Sequence, residues 1–254
     1  MVDPEKLRRF PAPAACDEGQ TVTLAAEASH HMTVVLRAEA GDRVRLFTGD
    51  GREFIGRVES TDPEGARVHV EEELPVDTTS VASVTLGFAP PPAHRSDVLI
   101  EKAVELGVTN LQPFLCERSQ GHRARKVAGR LDRWERKARD AARQCGRTVV
   151  PGIAEPVPFD GFVREAPPGL RIIADTSSSG PLWRMLEEQP EAPEGVILAV
   201  GPAGGFTRRE RELAVNEGFV PASLGPTTLR VETAAICLLT GVMLWLDGWG
   251  GKEG

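Results

Sequence analysis

The stretch GVILAVGPAGGFTRRE, residues 195–210, constrains the fold of this chain more than any other. Gly195–Val200 is apolar throughout, without alternation, which is the pattern of a short strand buried on both faces, as in a parallel sheet. Thr207 followed three residues later by Glu210 is a capping box, so a helix begins there and turns Leu213 and Ala214 inward. Between strand and helix lies a tight turn. Its glycines, Gly201, Gly204 and Gly205, accept positive φ and leave backbone N–H groups bare of side chains. Such turns sit at the carboxyl edge of an α/β sheet, where ligands bind. Two readings fit, the wall of a ligand site or a turn with no ligand. The sequence is neither G-x-G-x-x-G nor G-x-x-x-x-G-K-[ST], which argues against the usual dinucleotide and nucleoside triphosphate loops.

The same strand-then-helix pattern runs through the C-terminal two thirds. Strands are expected at Val81–Ala89, Thr109–Leu115, Leu170–Ala174 and Val220–Leu224. Helices are expected at Ser96–Leu106, Lys126–Gln144, Pro181–Glu188 and Arg208–Glu217, with a final apolar helix around Ala234–Leu246. Strands alternating with helices predict a parallel, doubly wound α/β sheet. Three of its strand ends are unusual: Ala174-Asp175-Thr176, the loop Gly201–Phe206, and Leu224-Gly225 running into LRVETA at 229–234. Residues 1–75 read differently. A short helix carrying His30-His31 and running to Arg37 is followed by strands at Arg43–Thr48, Glu53–Glu59 and Ala66–Glu71, with Asp50-Gly51 as a hairpin turn. That pattern predicts a small β-barrel. Leu74–Ser80 is the expected linker, which gives domains at 1–75 and 80–254. A histidine pair with no third ligand nearby is read as surface or packing rather than as a metal site.

Charge is unevenly placed. The chain carries a net −7, yet residues 117–147 hold eleven Arg and Lys against four Asp and Glu, a local net of +7. Such a segment is either a phosphate-facing surface or a solvated helix face. Cys16, Cys116, Cys145 and Cys237 are scattered without C-x-x-C spacing, which argues for a reducing compartment, expected to be the cytoplasm, and against a zinc site or a disulfide framework. The first residues, MVDPEKLRRF, lack the apolar core of a signal peptide. Ala234–Leu246 falls short of the roughly 20 residues a membrane span needs, so no membrane is expected.

Several motifs then occur in order: RRF at 8–10, the HHMTVVLR run, GDRVRLFTGDG, RSDVLIEKAVELGV at 95–108, ERSQ at 117–120, RW at 133–134, GRTVVP at 146–151, GPAGGFTRRE, SLG at 223–225 and LRVETAA at 229–235. Together they resemble the RsmE family of SPOUT-superfamily methyltransferases, which methylate N3 of a uridine in 16S ribosomal RNA. The resemblance covers essentially the whole chain. It implies an N-terminal PUA-like RNA-binding β-barrel domain and a C-terminal SPOUT α/β domain with a deep trefoil knot. It also implies S-adenosyl-L-methionine as cofactor, the small ribosomal subunit as partner, a homodimer and no metal. The residues it assigns to the cofactor are Ala174, Asp175, Gly201, Pro202, Gly205, Phe206, Leu224, Gly225, Leu229, Arg230, Thr233 and Ala234. Arg230 is the candidate for stabilising the deprotonated uridine, and Glu232 either accepts the proton or holds Arg230 by an ion pair. Arg8, Arg9, Arg118, Arg123, Arg125 and Arg147 are assigned to RNA phosphate. Ala203 stands where the family usually has Glu, Pro92 where it has Lys, and Thr228 where it has a bulkier aliphatic residue. The loss of the carboxylate at 203 keeps open a non-catalytic ribosome-binding or assembly protein on the same fold, beside a methyltransferase acting on another RNA position. The last helix, with Ile236, Leu239, Met243 and Leu246 at helical spacing, is either a dimer face or core.

Overall fold

The computed structural model describes residues 7–75, 82–119, 127–178, 180–191 and 193–250, the last two by their backbone only. The chain divides into two compact units. The first comprises residues 1–79 together with 142–150, and the second residues 80–141 and 151–254. The first division falls between Thr79 and Ser80. Residues 142–150, by contrast, group with the N-terminal unit and not with the C-terminal half to which the sequence assigned them.

In the first unit, strands β1 (Arg9–Pro11), β2 (Thr21–Thr23), β3 (Arg43–Phe47), β4 (Glu53–Ser60) and β5 (Arg67–Leu74) form one sheet in the order β1-β3-β4-β5-β2. Register shifts between Ile55 and Gly56 and between Val58 and Ser60 bend the β4–β5 ladder, as bulges do. The sheet surrounds a core of Phe10, Met32, Leu46, Phe54, Val68 and Val70. Helix α1 (Ala26–His30) continues as a π-helical turn over His31–Val35. The expected helix to Arg37 therefore changes hydrogen-bond pattern midway, and Arg37 itself has φ 51°. Beyond the Asp50-Gly51 turn, Val149 bridges to Gly49 and Asp50, and Val150 N donates to Gly49 O at 2.9 Å.

A buried ion cluster organises this unit. Glu53 is 3% exposed. It receives Arg9 Nε at 2.6 Å and also pairs with Arg45. The rest of the Arg9 guanidinium donates to the carbonyls of Ala142, Arg143 and Arg147 at 3.4, 3.3 and 3.1 Å and lies 4.7 Å from the centre of the Phe47 ring. A cation on the last carbonyls of a helix satisfies acceptors that have no partner within the helix. Arg9 is thus a structural residue, which corrects its assignment to RNA phosphate.

The second unit is built on a seven-stranded sheet. Strands β6 (Ser83–Phe88), β7 (Asn110–Leu115), β8 (Gly152–Ile153), β10 (Leu170–Ala174), β11 (Gly195–Val200) and β12 (Val220–Ala222) run in the order β12-β10-β11-β6-β7-β8, and β9 (Val157–Pro158) pairs with β7. Every pairing in it is parallel. The connecting helices are α2 (Ala93–Glu105), α3 (Leu131–Cys145, whose last residues group with the first unit), α4 (Phe159–Arg164), α5 (Leu182–Glu187), α6 (Arg208–Asn216) and α7 (Val231–Gly250). The doubly wound sheet is the predicted one. The short β8, β9 and α4 carry no period long enough to read from sequence.

The central strand β11 is buried at every residue. A cluster of Phe114, Phe159, Phe162, Phe206 and Phe219 packs against it, with ring centroids 4.9–6.4 Å apart. Helix α7 is longer than its most apolar stretch, and by length and composition alone Val231–Gly248 could cross a membrane. It packs instead on α2, α5, β6 and β11. Leu239 and Leu246 are buried there, while Leu244 is 69% exposed.

We expect Glu53→Gln to destabilise the protein by about 3–5 kcal/mol, because it leaves two arginines without their shared carboxylate in a buried setting. Urea unfolding checks this; a loss below about 1 kcal/mol would show that the cluster is not a buried charge system.

Candidate functional site

Three loops at the carboxyl ends of adjacent parallel strands meet around one cavity of about 320 Å³. Ala174 ends β10 and leads to Asp175 and Thr176, Val200 ends β11 and leads to Gly201–Phe206, and Leu224, Gly225 and Thr227–Leu229 follow β12. Val231 and Ala234, three apart on the first turn of α7, close one wall, and Arg118 and Arg211 complete the rim. This is the crevice position that strand order dictates in open α/β sheets, and the size falls in the range of small-molecule sites.

The glycine turn after β11 is held from several sides. Thr207 caps α6: its hydroxyl accepts from Glu210 N at 3.2 Å, and Glu210 Oε2 accepts from Thr207 N at 2.7 Å. Glu210 is 1% exposed, and its Oε1 also accepts from Glu117 N at 2.8 Å. Arg209 reaches Glu117 at 2.5 Å and Asp160 with two bonds of 2.9 and 3.0 Å. Those bonds hold the Asp160 carboxyl below the usual aspartate range. Burial, reinforced by the charge of Glu210, pushes the Cys116 thiol up, so this cysteine stays a neutral core residue. Phe206 anchors the turn in the phenylalanine cluster.

Two glycines here are needed for different reasons. A Cβ on Gly201 would lie 2.8 Å from the Phe206 ring. Gly205 has φ +68°, and a Cβ there would meet nothing within 4 Å.

Ten of the residues assigned to the cofactor line this cavity: Ala174, Asp175, Gly201, Pro202, Gly205, Phe206, Leu224, Gly225, Leu229 and Ala234. Arg230 and Thr233 do not. Arg230 precedes α7 and is exposed, and Thr233 lies on an exposed side of the helix. The sequence reading missed Val231, although Val231 and Ala234 share a face by helical period. It also missed Arg211, whose Nε is 3.9 Å from the largely buried carboxylate of Asp175.

The pairing of Glu232 with Arg230 is not formed. Glu232 Oε1 lies 3.5 Å from Arg95 Nε instead, because the first turns of α2 and α7 pack together.

Of the residues assigned to RNA, Arg8 is exposed and donates to Leu36 O at 2.5 Å. Arg147 is half-buried, and burial pulls its guanidinium below the usual arginine range. Arg118 turns onto the glycine loop, donating to Gly204 O at 2.6 Å and to Phe206 O at 3.5 Å. Arg123 and Arg125 lie outside the described residues. On α3 the basic side chains are partly neutralised, since Arg133 pairs with Asp97, and Lys137 with Glu101 at 3.2 Å. Part of the charged segment is therefore paired with acids of α2, which neither of its two readings, a phosphate-facing surface or a solvated face, had foreseen. No group of three or more His, Cys, Asp and Glu suited to a metal occurs among the described residues.

Comparison with known proteins agrees with this geometry. Residues 78–243 match the RNA methyltransferase domain model and residues 24–71 the RNA methyltransferase PUA domain model. These matches set the class: an RNA methyltransferase domain joined to a PUA domain. A ribosomal RNA small subunit methyltransferase E from Synechocystis sp. is 31% identical over 229 residues, 89% of this chain and 74% of its own. A methyltransferase of Legionella pneumophila, solved with bound SAM, is 35% identical, with a TM-score of 0.85 over 94% of this chain and 97% of that one. A ribosomal RNA small subunit methyltransferase E from Neisseria gonorrhoeae, bound to S-adenosyl methionine, is 28% identical, with a TM-score of 0.84 over 94% and 97%. The chain belongs to the family of ribosomal RNA small subunit methyltransferases E, the RsmE family of the SPOUT superfamily.

The two glycines separate by experiment. Gly201→Ala is expected to cost about 1–3 kcal/mol in urea unfolding through its collision with Phe206. Gly205→Ala is expected to cost only about 1–2 kcal/mol, through its left-handed backbone alone. A Gly201→Ala protein as stable as the wild type would show that Phe206 does not fix the loop.

Proposed function

We propose that this protein methylates N3 of a uridine in 16S ribosomal RNA of the small ribosomal subunit, using S-adenosyl-L-methionine held in the three-loop cavity. One observation carries the reading: a glycine-walled cavity at the carboxyl edge of the parallel sheet, in a chain of this family. The cavity fits the cofactor. Leu224, Leu229, Val231 and Ala234 offer an apolar surface for a flat base. Gly205 and Gly225 expose backbone in conformations that leave room for a ligand, and Asp175 offers a carboxylate to hydroxyl or ammonium groups. When bound, the cofactor supplies a methyl group activated on a sulfonium. The protein's part is to position the base against it, and positioning can account for a large share of the acceleration. Because N3 lies on the pairing edge, the uridine must be unpaired and must lose its N3 proton.

The enzyme works as a homodimer through the uncovered side of α7, where Leu244 and Cys237 are exposed beside half-buried Ile236 and Met243. The C-terminal segments form the trefoil knot that the family resemblance implies. The four free cysteines suit the reducing cytoplasm,.

The deciding experiment is methyl transfer to purified small subunits followed by nucleoside analysis, with N3-methyluridine as the expected product. In parallel, Gly205→Val should fold yet lose S-adenosyl-L-methionine binding in a calorimetric titration. A protein that binds subunits but neither the cofactor nor a methyl group would instead be a non-catalytic assembly factor. For the dimer, Leu244→Glu should halve the mass seen in sedimentation equilibrium; an unchanged mass would place the interface elsewhere.

A further inference from the structure

Arg95 sits where helix physics disfavours it. It lies on the first turn of α2, three residues after the N-cap Pro92, with no acidic residue on that turn. The partial positive charge of a helix N-terminus repels a cation. The chain compensates from another helix: Glu232, on the first turn of α7, has a side chain only 13% exposed and lies 3.5 Å from Arg95 Nε. Its second oxygen, Oε2, is buried with no hydrogen-bond partner among the described residues. An uncompensated buried carboxylate is costly, so this one is retained to hold the arginine. Among the described residues, no other ion pair to Glu232 is formed. Strands β6 and β11 bring no ionisable side chain to α7. On α2, Asp97 and Glu101 turn to Arg133 and Lys137, Lys102 pairs with Glu105, and on α5 Arg184 lies over Trp183.

Arg95 does not itself line the cavity, but its helix follows β6 at the same carboxyl edge of the sheet. The segment leading into α2 continues β6 alongside β11, with Ala89 N donating to Val200 O at 2.9 Å at the mouth of the glycine loop. On α7, Val231 and Ala234 flank Glu232 and line the cavity. The Arg95 side chain is 32% exposed, and the ion pair it makes among the described residues is through Nε. The result is a partly exposed cation beside a largely buried carboxylate.

We propose that Arg95, positioned by Glu232, is the group that stabilises the uridine anion during methylation; this rests on the function proposed above. As the N3–H bond breaks, the electron pair left on N3 is shared with O2 and O4, and the N–H donors of Arg95 take up that charge. The proton leaves to solvent; N3 then bonds the methyl carbon as that carbon's bond to the cofactor sulfur breaks, the electron pair of that bond returns to sulfur, and the demethylated cofactor leaves as a neutral thioether. Preorganised donors of this kind act on charge that appears only in the transition state.

The test uses the full-length enzyme in single turnover on small subunits made with uridine or with 5-fluorouridine, whose fluorine stabilises the N3 anion. Arg95→Gln should slow methylation of the uridine substrate on the order of a hundredfold. Calorimetric affinity for S-adenosyl-L-methionine should barely move, Arg95→Lys should recover part of the rate, and Glu232→Gln should be milder than Arg95→Gln. The defect of Arg95→Gln should shrink clearly on the 5-fluorouridine substrate. An equal defect on both substrates, or a fully active Arg95→Gln enzyme, overturns the proposal; Arg95→Lys serves the same comparison if Arg95→Gln does not fold. Wild-type enzyme that yields no N3-methyluridine would instead refute the function on which the proposal rests.

Discussion

The buried carboxylate of Glu210 is the interaction on which the site depends. It joins three things: the N-terminus of α6, the exit of the glycine loop, and the segment after β7 through Glu117 N. A carboxylate this deeply buried is tolerable only when backbone donors surround it and a helix N-terminus lends its partial charge. With that anchor in place, Phe206 is committed to the phenylalanine cluster and the backbone between Gly201 and Gly205 must arch over the cavity. Arg118 then binds the arch from outside through Gly204 O and Phe206 O. The loop is glycine-rich, yet its two ends are among the most firmly fixed points of the sheet edge.

What the sequence made legible was local. The strand Gly195–Val200, the capping box and the three strand-end loops could be read because each is a pattern within a few residues, and together they named most of the cavity. What it hid was the choice of partner across distance. An ion pair with Arg230, two residues away, was one of the two readings of Glu232, but helix packing gives it Arg95 from another helix. Arg9 reads as an exposed cation in a basic N-terminus, yet it is drawn inside by Glu53, a residue that sequence pattern treats as surface. The grouping of residues 142–150 with the N-terminal unit left no local trace, because it rests on carbonyls that accept from Arg9 and on the bridge to Gly49.

The basic segment shows why composition alone stops short of function. Its net charge is real, but on α3 it is spent in two ways, on acids of α2 and on the surface. Ion pairs such as Lys137 with Glu101 contribute little stability in water. They do set how the helix face is turned, and so which cations remain for a polyanion. An arginine count therefore overstates the number of phosphates such a helix can meet.

The N-terminal unit is made from two separate stretches of the chain, and this has a bearing on modularity. A gene fragment ending in the linker near residue 76 would encode all five of its strands and still lack residues 142–150, the source of the three carbonyls that receive Arg9 and of the bridge to the Asp50-Gly51 turn. Recombination at a single joint therefore cannot transplant this unit intact. The two units are inherited as one interleaved piece, and exchange of an RNA-binding module between enzymes of this design requires two crossovers at once.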